Sequence, residues 1–337
     1  MGAQRYPLLV GAVQANCDIA DARHAQEATM CTYLLQMREF HCWERKLPPG
    51  TQPERAEVSR WIAEREAAWQ SLENARYAKI GVGRLHDPFD AAALNAELLP
   101  RGLVYGAGYG RFHRPHFFLA ELEHDGMRDG IRVLVAGREL ARGLAPMPAA
   151  LQGDTIYVRR EALRTWLRER VDFWRSRRTA GALARAIECW GLAAGDESGF
   201  ERVVDAEIET VILHEIGEAR AGARLGAAWE EMLATLEDRR AEILARAVRD
   251  NLADCLSTLP VLLERDAHAS LHFWFAHLDG MRREIFPALA AAYSAWRDSG
   301  SAAALADAVR AGAAHWERAA RSLLDSPARA DTRAFAL

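Results

Sequence analysis

Apolar positions recur along this chain with two distinct periods, and the switch between them outlines the fold. Between Ala20 and Lys46 they fall at Ala28, Cys31, Leu34 or Leu35, and Phe40 or Cys42, the spacing of an amphipathic helix, until KLPPG breaks it. A second helix is expected over roughly Pro53–Tyr77, with Val58, Trp61, Ile62, Ala68 and Trp69 inward. Asp90 is placed to cap a third, short helix that ends near LLPRG. The period then changes. GLVYG, HFFLAEL, IRVLVAG and DTIYVR are short runs rich in β-branched or aromatic residues, separated by glycine-rich or polar turns. They predict a small antiparallel sheet of three or four strands over residues 101–159.

Helical periodicity resumes at Arg160, where Leu163, Trp166, Leu167, Val171 and Trp174 form one stripe. AAGDESG reads as a loop, Glu201–Gly222 as a helix, and Trp229–Leu263 as a helical stretch interrupted by Pro260. MRREIFPALAAAYSAWRDSG and the Ala-rich 302–323 complete the set. The expected fold is mainly α and bundle-like, with a small antiparallel β insert. It divides into an N-terminal helical region (1–100), a β region (101–159), a C-terminal helical region (160–325) and a frayed polar tail (326–337). No internal repeat is visible.

Composition narrows the function classes. The 337 residues include only two lysines, Lys46 and Lys79, among 43 basic residues, and the formal net charge is −4. Arginine-rich stretches therefore reflect a global bias, and a net negative chain lacks the footprint of a nucleic-acid binder. RREALRTWLRERVDFWRSRR interleaves Glu161, Glu169 and Asp172 with its arginines and reads as an ordinary amphipathic helix. The five cysteines form no C-x-x-C pair, which argues against a disulfide framework or zinc ribbon and for a reducing compartment. The apolar run Leu8–Val13 is too short for a signal-peptide core, Tyr6 stands where myristoylation would want Ser or Thr, and no window suits a membrane span. A cytoplasmic protein without nucleic-acid or membrane partners is expected.

The candidate chemistry centres on ILHEIGEARAG, which contains His214, Glu215 and Glu218 in an H-E-x-x-E pattern. Residues i and i+4 share a helix face, so His214 and Glu218 can address one divalent metal. Glu215 points about a quarter-turn away, where a general base or bridging carboxylate would sit. Val211, Ile212, Leu213 and Ile216 make this helix mostly apolar, and polar groups on a buried helix need partners. Further ligands are offered by RAVRDNLADCLSTLP, with Asp250 and Asp254 again at i, i+4 beside Asn251 and Cys255.

Geometry restricts that pairing. At about 1.5 Å per residue, a straight helix from Trp229 would place Asp250 about 33 Å from the Leu225–Gly226 turn, and His214 only about 18 Å from it. The two meet only if the helix breaks around Leu236–Arg239, with Asp238 capping a new one. The competing reading has the aspartates pair with Arg246, Arg249 or Arg220 and hold helices in register. His272, in SLHFWFAHLDGM, is either a further ligand or a core histidine, and His277 does not share its face. His24, Glu27 and Cys31 form a second stripe that could complete a dinuclear site. YGAGYGRFHRPHFF could present backbone N–H groups to a phosphate, but it joins two expected strands and reads better as a hairpin loop. Ser–His–Asp and Cys–His nucleophile signatures are absent.

CTYLLQMREFHCWERKLP, RPHFFLAEL and LHEIGEARAG together resemble an uncharacterised family of bacterial proteins of about this length, which implies a bacterial origin and supplies no activity. A local resemblance to zincin metallohydrolases is limited to His214–Glu218, where Glu218 replaces the second ligand histidine. A donor set of His and carboxylate is better suited to Fe or Mn than a thiolate- or imidazole-rich one. The expectation is a metal-dependent enzyme using Fe, Mn or Zn on a small-molecule substrate. Its chemistry would be hydrolytic, through metal-bound hydroxide, or oxidative at a non-haem iron. His214, Glu218 and Asp254 are the expected ligands, Asp250 and His272 further candidates, and Glu215 the base. The alternative is a non-catalytic helical adaptor with a buried Asp/Glu/His–Arg network.

Overall fold

A computed structural model of the chain describes residues 6–48, 50–110, 113–192, 197–325 and 335–337. Four helices come first: α1 (Pro7–His24), α2 (Met30–Glu44), α3 (Arg55–Gln70) and α4 (Ala91–Leu98). Five strands follow: β1 (Leu103–Tyr109), β2 (Pro115–Arg128), β3 (Ile131–Arg142), β4 (Ala149–Gln152) and β5 (Thr155–Arg159). The rest is helical: α5 (Arg160–Arg177), α6 (Ala182–Cys189), α7 (Glu197–Leu225), α8 (Ala227–Thr235), α9 (Arg239–Ala253), α10 (Leu259–Glu264), α11 (His268–Ala276), α12 (Gly280–Glu284), α13 (Pro287–Ser299) and α14 (Ala303–Asp325). The fold is mainly α with one small sheet. It comprises two compact units: Met1–Gly126, Leu134–Met147 and Arg159–Ala162 in the first, Met127–Val133, Pro148–Val158 and Leu163–Leu337 in the second.

The sheet has the order β1-β2-β3-β5-β4, and it is mixed rather than antiparallel throughout. The β1–β2 and β4–β5 pairs are antiparallel. β3 and β5 run the same way: Arg132 N–H reaches the Asp154 carbonyl at 3.1 Å near their starts, and Glu139 meets Arg159 near their ends. The reason lies in β4. Its four residues carry the chain back along the outer edge, and Gly153, at φ 61°, turns it into β5. The Ala-Ala-Leu-Gln sequence of β4 has little strand propensity, so periodicity does not reveal it.

In the first unit, Leu9, Val13 and Cys17 of α1 pack with Leu94 and Leu98 of α4 on strand residues such as Tyr105, Phe117 and Leu119. The apolar run Leu8–Val13 thus opens a helix of its own, and the chain breaks before Thr29, whose side chain accepts from Thr32 N–H. On α2 the buried face is Tyr33, Met37 and Phe40, whereas Leu34 and Leu35 are 46% and 56% exposed. The expected stripe through Cys31 and the leucines is therefore on the wrong face. The larger rings win: Phe40 packs on Trp61, which together with Trp69 is buried from α3 as expected. Asp90 caps α4 through Ala93 N–H at 3.0 Å.

In the second unit, Leu163, Leu167, Val171 and Trp174 of α5 are buried against α6 and α7, as their spacing predicts. A larger apolar cluster joins α7, α8, α9, α11, α13 and α14. The last three residues, expected to fray, are tied down. Leu337 exchanges backbone hydrogen bonds with Ile285 and Ala288, and Phe335 is buried. Residues 326–334 of the expected tail lie outside the described residues. No described helix is long and apolar enough to cross a membrane.

Candidate metal centre

The 29-residue helix α7 ends where Gly226, at φ 74°, reverses the chain into α8. α8 stops at Thr235, Leu236 is extended, and Asp238 caps α9 by accepting from the Arg240 and Ala241 N–H groups at 2.7 and 2.9 Å. The break falls where the pairing of His214 with the aspartates requires it. α9 then runs back against α7, and one glycine sets how closely. A Cβ on Gly217 would lie 2.2 Å from the Ala253 carbonyl oxygen, so only glycine permits this approach.

Ala253 is also where the helix changes gauge. Asp254–Thr258 form a π-turn, closed by an i→i−5 bond from Leu259 N–H to the Asp254 carbonyl. Pro260 has no N–H, so the Leu256 carbonyl four residues back loses its helical donor. Arg220 of α7 supplies one instead, at 2.8 Å. π-Turns of this kind concentrate at functional sites because they re-aim side chains that a regular helix would space evenly.

These elements bring His214, Glu218 and Asp250 together: one potential ligand atom from each lies within 4.8 Å of the others. His214 Nε2 stands 3.6 Å from Glu218 Oε1. Its other nitrogen, Nδ1, donates to Asp254 Oδ1 at 2.9 Å. Asp254 thus orients the imidazole and leaves Nε2 facing the group, the carboxylate–histidine arrangement that supports metal-bound imidazoles. It stands behind His214 and outside the convergent group of three, although its spacing matches that of Asp250. Asp250, a further candidate by sequence, stands in the set itself. The His214 side chain is 26% exposed and Asp254 only 1%, so the group opens to solvent on the imidazole side.

Two arginines also face these carboxylates. Arg249 Nη2 donates to Glu218 Oε1 at 2.7 Å and lies 3.7 Å from Asp250 Oδ1. Arg282 of α12 donates to Asp254 Oδ2, and its Nε reaches Asn251 Oδ1 at 3.4 Å. Nothing local in the sequence marks Arg282, on a short helix, as the partner of Asp254. Arg246 and Arg220 pair elsewhere, with Glu242 and Asp129.

Burial opposes every charge here, and neighbours decide the outcome. Against burial, Arg249 and then His214 hold the Glu218 carboxyl down to about 2. Asp254, against the same cost, is held at about 2 by His214 and Arg282. Burial likewise disfavours the His214 cation, but Asp254 and Glu218 outweigh it and raise its pKa well above the usual range. Burial first, and the Glu218 charge second, push Glu215 up to about 7, although Leu151 N–H on the edge strand β4 stabilises its carboxylate. Asp250 is raised by burial and by Glu218.

The other candidates fall outside the group. His272 is buried, bonded through Nδ1 to Tyr293 Oη at 2.9 Å and stacked on Trp296 at 4.7 Å. Burial lowers its pKa to about 4, as for a neutral core histidine. His277 Nδ1 bonds the Phe273 carbonyl at 2.8 Å. In the first unit, His24 and Glu27 pair at 2.8 Å, Glu27 also takes Arg114, and Cys31 is exposed. The glycine-rich segment joins β1 to β2 as a hairpin loop; its Arg111 and Phe112 lie outside the described residues.

No curated protein and no solved structure matches the chain. Family models do match: the "Family of unknown function (DUF6866) N-terminal domain" over residues 8–159 and the "Family of unknown function (DUF6866) C-terminal domain" over residues 164–336. The second match contains His214, Glu218, Asp250 and Asp254 in full, and the chain belongs to the family of unknown function DUF6866.

Proposed function

We propose that the protein is a metal-dependent enzyme whose second unit holds one divalent cation through His214, Glu218 and Asp250. The observation that carries this reading is the convergence of three ligand atoms, one from each residue, within 4.8 Å. With ligand bonds of about 2.0–2.2 Å, two ligand atoms on one metal stand at most about 4.4 Å apart, so a small contraction completes the set. Asp254 is a positioning residue that fixes the His214 tautomer through Nδ1. One imidazole and two carboxylates form a hard donor set, which favours Mn or Fe over a thiolate-loving metal. When bound, such a cation acts as a Lewis acid and activates water.

Glu215 is one residue from His214 and buried, and we assign it as the general base. On that assignment the reaction is hydrolysis of a small-molecule substrate. A second reading has its own support. Arg249 and Arg282 already pair with Glu218 and Asp254, as in a non-catalytic network that holds helices in register. Metal analysis of protein purified without a His-tag separates the two. Stoichiometric Mn, Fe or Zn, lost in folded His214→Ala and Glu218→Ala variants, is the expected result. Protein that stays metal-free after reconstitution would leave the structural network as the account.

A further inference from the structure

Among the described residues, Arg249 is the arginine that contacts the proposed ligands, and its guanidinium lies between the site and the surface. Its Nη2 takes Glu218 Oε1 at 2.7 Å and reaches toward Asp250 Oδ1 at 3.7 Å. It therefore bridges the two carboxylates that a metal would need. Its Nη1 lies 3.7 Å from Glu230 Oε1 on α8, a carboxylate whose side chain is 69% exposed. Its Nε is buried without an acceptor. The guanidinium thus has one nitrogen on the site and another toward the surface.

Asp254 is shared by Arg282 and His214, and Arg249 is the guanidinium that faces Glu218 and Asp250. A divalent cation balances those two carboxylates alone; with Arg249 still in place, the site would carry an excess of positive charge. A metal held by Glu218 would bring a second cation to the carboxylate that Nη2 already occupies. Two cations on one carboxylate in a poorly screened interior repel strongly. Arginine has the rotatable stem to leave, and Glu230 marks where it would go.

We infer, resting on the metal reading above, that Arg249 is an exchangeable internal cation. It pairs with Glu218 and faces Asp250 in the metal-free protein, competes with the metal for them, and swings to Glu230 when the metal enters. The site is then closed at low metal concentration and opens only when the free cation outcompetes the guanidinium. Loss of metal returns Arg249 to the carboxylates, so the metal-free second unit is not left with uncompensated buried charge.

The test is calorimetric titration of Mn²⁺ into the metal-stripped full chain, for the wild type, Arg249→Gln, Glu230→Gln and each of these combined with His214→Ala. Arg249→Gln is expected to bind at a His214-dependent site about tenfold or more tightly than the wild type, because a competing charge is gone. Glu230→Gln is expected to bind a few-fold more weakly, having lost the acceptor for the displaced guanidinium. A silent wild type alongside a binding Arg249→Gln variant also supports the exchange. If the wild type binds and Arg249→Gln binds no tighter, the exchange is wrong and the metal site stands. If neither binds at a His214-dependent site, both are wrong. Should Arg249→Gln fail to fold, Glu230→Gln decides, since it alters only an exposed side chain: unchanged affinity overturns the exchange.

Discussion

Each unit of this protein buries a cluster of charged side chains, and the two clusters are built differently. In the first unit, the Glu139 side chain is fully buried between two arginines, accepting from Arg159 Nε at 2.6 Å and lying 3.8 Å from Arg142 Nη1. The guanidinium of Arg142 stands over Trp43 at 4.9 Å and that of Arg159 over Phe118 at 4.5 Å. Nearby carboxylates are tied to backbone: Asp21 accepts from Leu144 N–H at 2.8 Å, and Glu161 from Glu139 N–H at 2.6 Å. Strands and rings fix every member, and no His–carboxylate set converges there among the described residues. In the second unit the charged groups come from helices, one helix is interrupted by a π-turn, and His214 remains partly open to solvent. The comparison teaches that buried charge by itself marks no site. Convergence of potential ligand atoms, with the close α7–α9 approach that Gly217 permits, does.

Breaking each cluster should have different consequences. Glu139→Ala leaves two buried guanidinium groups with no carboxylate between them, and should cost about 3–5 kcal/mol in denaturant unfolding. Its effect on metal content should be nil wherever the protein still folds. Gly217→Ala comes next: a methyl group placed 2.2 Å from the Ala253 oxygen must push α9 from α7, at about 1–3 kcal/mol. Unlike Glu139→Ala, it should also weaken Mn²⁺ binding, because the same displacement carries Asp250 and Asp254 away from His214. A Gly217→Ala variant with wild-type metal affinity would show that the glycine serves packing alone.

The pH dependence of stability gives a smaller, more local contrast. Glu207 of α7, buried and bonded by Ser270 Oγ at 2.6 Å, is raised to about 7 by burial. A carboxyl with a raised folded-state pKa binds more protons when folded. Its contribution is full below about pH 4.5 and declines as pH rises toward 7. Glu218 and Asp254, held at about 2, run oppositely: their contribution is present above the ordinary carboxylate range and lost in acid. Replacing Glu207 by Gln should therefore flatten the decline between pH 4.5 and 7, by at most about 1.4 kcal/mol per pH unit. A wild-type slope in that variant would place the titration elsewhere, Asp21 and Glu215 also being raised to about 7.

Much of this was legible in the sequence, for identifiable reasons. The H-E-x-x-E spacing puts His214 and Glu218 on one face of any helix, and simple rise-per-residue geometry demands the break that Asp238 caps. Gly217 stands out as a helix-weakening residue in an apolar stretch, and the close contact explains it. What stayed hidden depends on tertiary choice. Whether α2 buries its leucines or its rings is settled by Trp61 and Trp69 on another helix. The short return strand β4 exists because β5 accepts it, and Arg282 reaches Asp254 from a five-residue helix with no pattern of its own. The separation of Asp250 as a ligand candidate from Asp254 as the group behind His214 is a tertiary choice: the two are one ordinary helical turn apart, and only the packing of α9 on α7 sets which of them His214 Nδ1 meets.

The central claim is that His214, Glu218 and Asp250 hold one metal ion and that Arg249 yields its place to it. An anomalous difference map from crystals of the full chain grown with Mn²⁺ tests this most directly. The expected result is a single peak about 2.2 Å from His214 Nε2 and from a carboxylate oxygen of each of Glu218 and Asp250, with Arg249 turned to Glu230. A map with no peak at these residues, and Arg249 still bridging Glu218 and Asp250, would contradict it.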